Sequence, residues 1–175
     1  KNVDSTNDLA IKIIRNSKNK SGIVIASNQK KGRGRYGKKW ISLKGNLFVS
    51  IFFKYGKNNI SLKKMTYFNC FLVKKLLSIY YKKRISIKYP NDLLINKKKI
   101  SGILQEIIKK DKTKYMIVGI GINLINNPKI TNYPTTNLRE ISNKKINKEE
   151  IILKLKKIYE NFIAKLDLHT TSKIL

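Results

Sequence analysis

The segment Gly32-Arg33-Gly34-Arg35-Tyr36-Gly37-Lys38-Lys39-Trp40 carries the most chemistry for its length. Its glycines let backbone come close to an anion, and Arg33 and Arg35 offer forked donors suited to phosphate or carboxylate. The spacing formally matches G-x-G-x-x-G, the fingerprint of a dinucleotide-binding turn. That turn needs a following helix and an acidic residue about twenty positions on to hold a ribose. Here the chain continues Lys38-Lys39-Trp40, and no Asp or Glu occurs between Asp8 and Asp92. A dinucleotide turn is excluded. The same acid-free stretch excludes paired-carboxylate catalysis or a carboxylate-rich metal cage within it, and no metal ligands are expected elsewhere. Residues 30–40 read as a basic, mobile loop that folds over an anionic ligand, against the plainer alternative of an ordinary surface loop.

Lys88-Tyr89-Pro90-Asn91-Asp92 and Lys99-Ile100-Ser101-Gly102-Ile103-Leu104-Gln105-Glu106 put Lys88 and Lys99 at opposite ends of a hairpin-like unit, from which both can project into one cleft. Charges beside apolar strands are costly unless partnered, so these two lysines differ from the solvated majority. Ser101-Gly102 permits close backbone approach within a strand. Gly119-Ile120-Gly121-Ile122-Asn123 repeats that pattern and ends in an amide able to recognise a base or ribose.

The elements that must position these groups follow from apolar spacing. Ser5 with Asp8 resembles a capping box, and Leu9, Ile13 and Ile14 give a helix over 7–16. Residues 22–27 and 46–54 are strands, the second with Leu47, Val49, Ile51 and Phe53 alternating. Met65, Phe68, Leu72, Leu76 and Ile79 predict a long helix over 62–81. A strand at 85–88, a break at Pro90, a hairpin of 92–96 and 99–109 turning at Lys97-Lys98, and a strand over 114–124 after Asp111-Lys112 make a meander. Residues 126–137 are a polar loop, and Asn147 caps a final helix through 166 with Ile151, Leu155, Ile158 and Phe162 inward. The expected fold is α+β: one mixed, largely antiparallel sheet with helices packed mainly on one face.

Taken in order, Asp4-Ser5-Thr6-Asn7, Gln29 followed by 32–40, Lys88 to Asp92, Lys99 to Leu104, and Gly119 to Asn123 resemble the signatures of biotin–protein ligases. The resemblance is strong over 1–123 and continues through Asn137-Leu138-Arg139-Glu140-Ile141 to the last helix. It implies activation of biotin by ATP, with Mg²⁺, to biotinyl-5′-AMP, then transfer to a lysine of a biotin carboxyl carrier protein. By that resemblance Ser5, Thr6, Asn7 and Gln29 line the biotin site, and Arg33, Gly34 and Arg35 belong to the loop that closes over biotin and the α-phosphate. Lys99 stands between the biotin carboxylate and the α-phosphate, and Lys88 is a second phosphate-side lysine. Gly102, Leu104, Gly119 and Ile120 wall the biotin rings. Trp40, Asn91 and Asn123 contact the nucleotide, and Asp92 meets the acceptor lysine. The resemblance also implies a catalytic domain over 1–175, with an N-terminal DNA-binding winged helix and a small C-terminal β-barrel both absent from this chain.

Lipoate–protein ligases share the expected fold and the acyl-adenylate logic, but a serine- and glycine-rich anion loop is expected there in place of 32–40. A basic nucleic-acid-binding module is the other alternative, prompted by a formal net charge of +29. The lysines, however, are spread over the whole chain and accompany heavy use of Ile, Asn and Tyr, which points to base composition. Specific DNA binding is not expected. No apolar run approaches the ~20 residues of a membrane span, so no membrane association is expected. Cys70 is the only cysteine and His169 the only histidine, far apart in sequence. Cys70 therefore reads as a small core residue, and a reducing cytoplasm is the expected location. Assembly is open between a monomer and a homodimer.

Overall fold

The computed structural model describes residues 2–56 and 60–171, with side chains as far as Leu166; the His169 side chain lies outside the described residues. The order is β1 (Asn2–Val3), α1 (Thr6–Asn16), β2 (Ser21–Ala26), β3 (Asn28–Gln29), a short 3-10 turn at Arg35–Gly37, β4 (Leu47–Tyr55) and α2 (Leu62–Leu77). There follow β5 (Ile85–Lys88), β6 (Asp92–Ile95), β7 (Lys98–Lys110), β8 (Thr113–Ile122), α3 (Leu138–Ile141) and α4 (Lys148–Thr171). Six strands form one sheet in the order β2-β4-β8-β7-β6-β5. Every neighbouring pair in it is antiparallel. The expected α+β fold with a largely antiparallel sheet is borne out, and the one departure is that these six strands include no parallel pair. The parallel pairing lies outside it, between the two-residue strands β1 and β3.

Alternation along β4 decides what each face carries. Leu47, Val49, Ile51 and Phe53 join the main core with Met65, Val73 and Leu76 of α2 and Ile151, Leu155 and Tyr159 of α4. Phe52, with Val24, Tyr115 and Ile117, faces Ala10 and Ile14 of α1 in a smaller core on the other side. Two of the long helices therefore share one face, and α1 covers only part of the other. Beyond α1 the second face carries glycine on β7 and β8, at Gly102, Gly119 and Gly121. Ser50 pairs with Gly119 and Phe48 with Gly121 across β4–β8, while Gly102 pairs with Gly121 across β7–β8.

Helix ends follow their local chemistry. Ser5 Oγ accepts the Asp8 N–H at 3.4 Å. The Asp8 carboxylate does not close the capping box but pairs with Arg33. Lys110 Nζ donates to the carbonyls of Ile14 (3.0 Å) and Ser17 (2.6 Å), capping the negative end of α1. α2 stops at Leu77, short of the expected 81: the N–H groups of Ile79 and Tyr80 turn back to Leu76 and Leu77 in tight steps. Tyr80 and Tyr81 nevertheless stay buried, so their apolar spacing imitates helix. The β6–β7 turn is centred on Asn96-Lys97, both with positive φ, one residue earlier than expected.

Cys70 is fully buried in the main core. Burial, with a smaller contribution from the Asp92 charge, pushes its thiol up to about 12. Only the thiolate reacts, and below that value the thiol form prevails. Folded protein is expected to resist alkylation at pH 8 and to be labelled once unfolded in denaturant; rapid labelling of the native state would contradict this placement.

Candidate active site

A cavity of about 540 Å³ opens on the glycine-bearing part of the second sheet face. Its floor exists because three strand positions lack a side chain. A Cβ on Gly121 would sit 2.4 Å from Trp40 Cε2, and one on Gly102 2.8 Å from Trp40 Cζ3. A Cβ on Gly119 would sit 2.4 Å from Asn7 Oδ1. Adjacent strands thus give up their side chains so that an indole and an amide can lie flat on the backbone.

The polar end is built by the start of α1. Thr6 N–H and Oγ1 both donate to Gln29 Oε1, at 2.9 and 3.1 Å. Gln29 Nε2 donates to Ser42 Oγ at 3.2 Å. Asn7 Nδ2 donates to Glu106 Oε2 at 2.6 Å, while Asn7 Oδ1 accepts from the Ser50 hydroxyl. The β1–β3 pairing holds Asn2-Val3 against Asn28-Gln29 and so sets these residues side by side.

The roof is the loop after β3, and it is more structured than its composition predicts. Arg33 bridges Lys39, Gly34 N–H donates to Lys38 O at 2.6 Å, and Trp40 N–H donates to Gly32 O at 2.9 Å, making a narrow hairpin. A Cβ on Gly32 would lie 2.5 Å from the Trp40 carbonyl, so close strand approach requires glycine there. The two arginines have different partners. Arg33 forms a two-point pair with Glu106 (2.9 and 2.7 Å) and also meets Asp8 (2.7 Å). Burial lowers the Arg33 pKa, but Glu106 and Asp8 outweigh it and the net shift is upward. Arg35 touches only neutral groups among the described residues: Asn91 Oδ1 at 3.5 Å and the Tyr36 hydroxyl at 3.0 Å, over whose ring it also stacks.

At the charged end Lys99 Nζ lies 2.9 Å from Asp92 Oδ2, 5.5 Å from the Trp40 ring centroid and 5.2 Å from that of Tyr133. Tyr133 arrives from the long loop because Lys99 N–H donates to Pro134 O and Thr136 N–H donates back to Lys99 O. Burial first, then the Asp92 charge, raises the Tyr133 pKa, so its phenol is neutral at pH 7. Trp40 Nε1 and Asp92 Oδ1 are buried without a hydrogen-bond partner, as expected of a site that a ligand completes. Among the described residues no three His, Cys, Asp or Glu groups are placed to hold a metal ion.

Ser5, Thr6, Asn7, Gln29, Arg33, Gly34, Arg35, Trp40, Lys88, Asn91, Asp92, Lys99, Gly102, Leu104, Gly119 and Ile120 all line this cavity. Asn123 does not. Its Nδ2 donates to Thr136 O at 3.1 Å and it is 2% exposed, a brace for the long loop rather than a wall. Ile120 turns its side chain into the main core, leaving backbone to face the cavity. Tyr133, Gly121 and Glu106 were not singled out by spacing. Gly121 and Glu106 lay inside motifs already marked, and for Tyr133 no local signal existed.

The Trp40 seat has a direct optical test, since Trp40 is the only tryptophan. Gly121→Ala must expel the ring from a contact of 2.4 Å. Its fluorescence is expected to shift to the red and become more accessible to iodide quenching. An unchanged spectrum would place the indole elsewhere.

Residues 1–123 match the Biotin/lipoate A/B protein ligase family. The bifunctional ligase/repressor BirA of Bacillus spizizenii is 30% identical over 93% of this chain and 53% of its own length. A biotin–[acetyl-CoA-carboxylase] ligase of Paracoccus denitrificans is 30% identical over 71% of this chain and 53% of its own. The chain thus spans about half the length of these curated relatives. The Aquifex aeolicus biotin protein ligase in complex with biotin and ATP superposes with a TM-score of 0.75 at 34% identity, covering 92% of this chain and 67% of that one. With an all-antiparallel six-stranded sheet, a glycine floor and a two-arginine roof in the matched segment, this chain belongs to the biotin/lipoate A/B protein ligase family.

Proposed function

We propose that the protein is a biotin–protein ligase: it joins the biotin carboxylate to the α-phosphate of ATP, releasing pyrophosphate, and passes biotin from biotinyl-5′-AMP to a lysine of a biotin carboxyl carrier protein. The observation that carries the choice of biotin is the polar end of the cavity. A ureido ring has two N–H donors and a carbonyl acceptor. Among the described residues, Asn7 Oδ1 keeps a lone pair beyond its bond from Ser50, Gln29 Nε2 keeps a second proton beyond its bond to Ser42, and the Ser5 hydroxyl keeps its proton. The dithiolane of lipoate could satisfy none of these, and unpaired buried polar groups penalise it.

The rest of the cavity suits the adenylation step. Attack of one anion on another requires fixed positive charge where they meet, and Arg35, Lys88 and Lys99 all line that region. Lys99 is held in readiness by Asp92 and two aromatic faces. When a carboxylate and a phosphate compete for its ammonium, Asp92 is released to orient the acceptor lysine and take its proton. Trp40 offers its open face to the adenine ring. Among the described residues Asp92 is the only carboxylate lining the cavity, and Lys99 engages it. These residues do not form a magnesium cage; Mg²⁺ would enter with ATP, bound by the phosphates.

Incubation with biotin, ATP and an acetyl-CoA carboxylase carrier domain is expected to place one biotin on one lysine, read by mass spectrometry. Lipoate is expected to give no adduct. Modification by lipoate and not by biotin would reverse the assignment.

A further inference from the structure

Glu106 projects from β7 on the cavity face of the sheet, in register with Ile117 of β8. Both its oxygens are engaged. Oε1 and Oε2 receive Arg33 at 2.9 and 2.7 Å, and Oε2 also receives Asn7 Nδ2 at 2.6 Å. One carboxylate thereby joins the first turn of α1, which builds the polar end, to the hairpin that roofs the cavity. Asp8, one residue on from Asn7, adds a second acid to the same guanidinium at 2.7 Å.

We propose that Glu106 is a positioning residue that couples filling of the polar end to closure of the 32–40 hairpin, acting through Asn7 on one side and Arg33 on the other. An ionised carboxylate only accepts hydrogen bonds, so it fixes the Asn7 amide with Nδ2 toward Glu106 and Oδ1 toward the Ser50 hydroxyl. In that orientation Oδ1 receives a ligand N–H. Reversal of the amide would present a donor to that N–H and would leave the carboxylate facing an oxygen. The same carboxylate holds Arg33 in its two-point geometry, with its charge met by Glu106 and Asp8. Arg33 is thus the anchor of the roof, and Arg35, whose partners are neutral, is the arginine left for a ligand phosphate. This division of labour departs from the expectation that Arg33 and Arg35 alike close over biotin and the α-phosphate.

What fills the cavity rests on the biotin–protein ligase reading; the clamp does not. Two measurements separate them. Limited tryptic digestion of the ligand-free protein reports the hairpin, which offers cleavage after Lys30, Lys31, Arg33, Arg35, Lys38 and Lys39. Biotin-dependent exchange of pyrophosphate into ATP reports KM and kcat. Glu106→Gln is expected to raise both hairpin cleavage and biotin KM about 10-fold, the scale of losing a charge-assisted pair. Its kcat is expected to stay within about 3-fold, since Glu106 does not touch the reacting atoms. Arg33→Gln, which removes the same pair from the roof side, is expected to match it in hairpin cleavage and to raise biotin KM less, because Glu106 still holds Asn7. It serves alone should a thermal melt show Glu106→Gln unfolded. The double variant is expected to fall short of the product of the two singles, because both remove the shared Glu106–Arg33 pair. Wild-type cleavage in both single variants, or strictly additive effects in the double, would overturn the clamp. Absence of biotin-dependent exchange in the wild type would instead sink the ligase reading, with digestion still deciding the clamp.

Discussion

Lys99→Ala is expected to lower the rate of biotin adenylation by at least about 100-fold, the scale of removing one preorganised charge from a transition state. The loss should fall on kcat more than on either KM, because the ammonium matters most when two anions are driven together. Its setting supports a role beyond general attraction. Lys99 is 16% exposed, paired with Asp92 at 2.9 Å and enclosed by Trp40 and Tyr133, whereas most lysines here are solvated. Lys98→Ala is the proper control: that side chain is exposed and outside the cavity, while Lys97 lies on its rim. Equal losses from Lys98→Ala and Lys99→Ala would reduce the lysine to part of a diffuse field.

Arg35→Gly is expected to uncouple the two half-reactions. Arg35 is the roof arginine whose charge is not met by a carboxylate among the described residues, and its side chain bonds Asn91 and Tyr36. Removing it leaves Lys88 and Lys99 in place for adenylation but opens the roof above the mixed anhydride. With no carrier present, biotin-dependent AMP release is expected to rise about 10-fold as the intermediate escapes and hydrolyses. Loss of adenylation altogether, or release as slow as in the wild type, would show that Arg35 is not the closing group.

Local periodicity located most of the architecture because burial repeats along a strand or helix leave a direct trace. The alternation in β4 and the stripes in α2 and α4 are of that kind. Where chain direction changes without a change in apolar spacing, the trace misleads: Tyr80 and Tyr81 are buried beyond the end of α2, and α3 is too short for any period. Pairing across strands was less legible. That Gly102 and Gly121 stand opposite each other under one indole depends on the β7–β8 register, which no segment states alone. Tyr133 reaches Lys99 only because main-chain bonds at Pro134 and Thr136 dock the long loop against the start of β7. Asn123 shows the converse. Its place at a strand end suggested a ligand contact, but its Nδ2 goes to the loop beside it and the residue lies outside the cavity lining.

The proposed function turns on which acid the cavity accepts. Exchange of labelled pyrophosphate into ATP, with biotin and lipoate each supplied alone, addresses it without any carrier protein. On the proposed function exchange is expected with biotin and not with lipoate, because of the two acids only biotin carries a ureido group able to pair with the polar groups around Asn7, Gln29 and Ser5. Exchange supported by lipoate and not by biotin would contradict it.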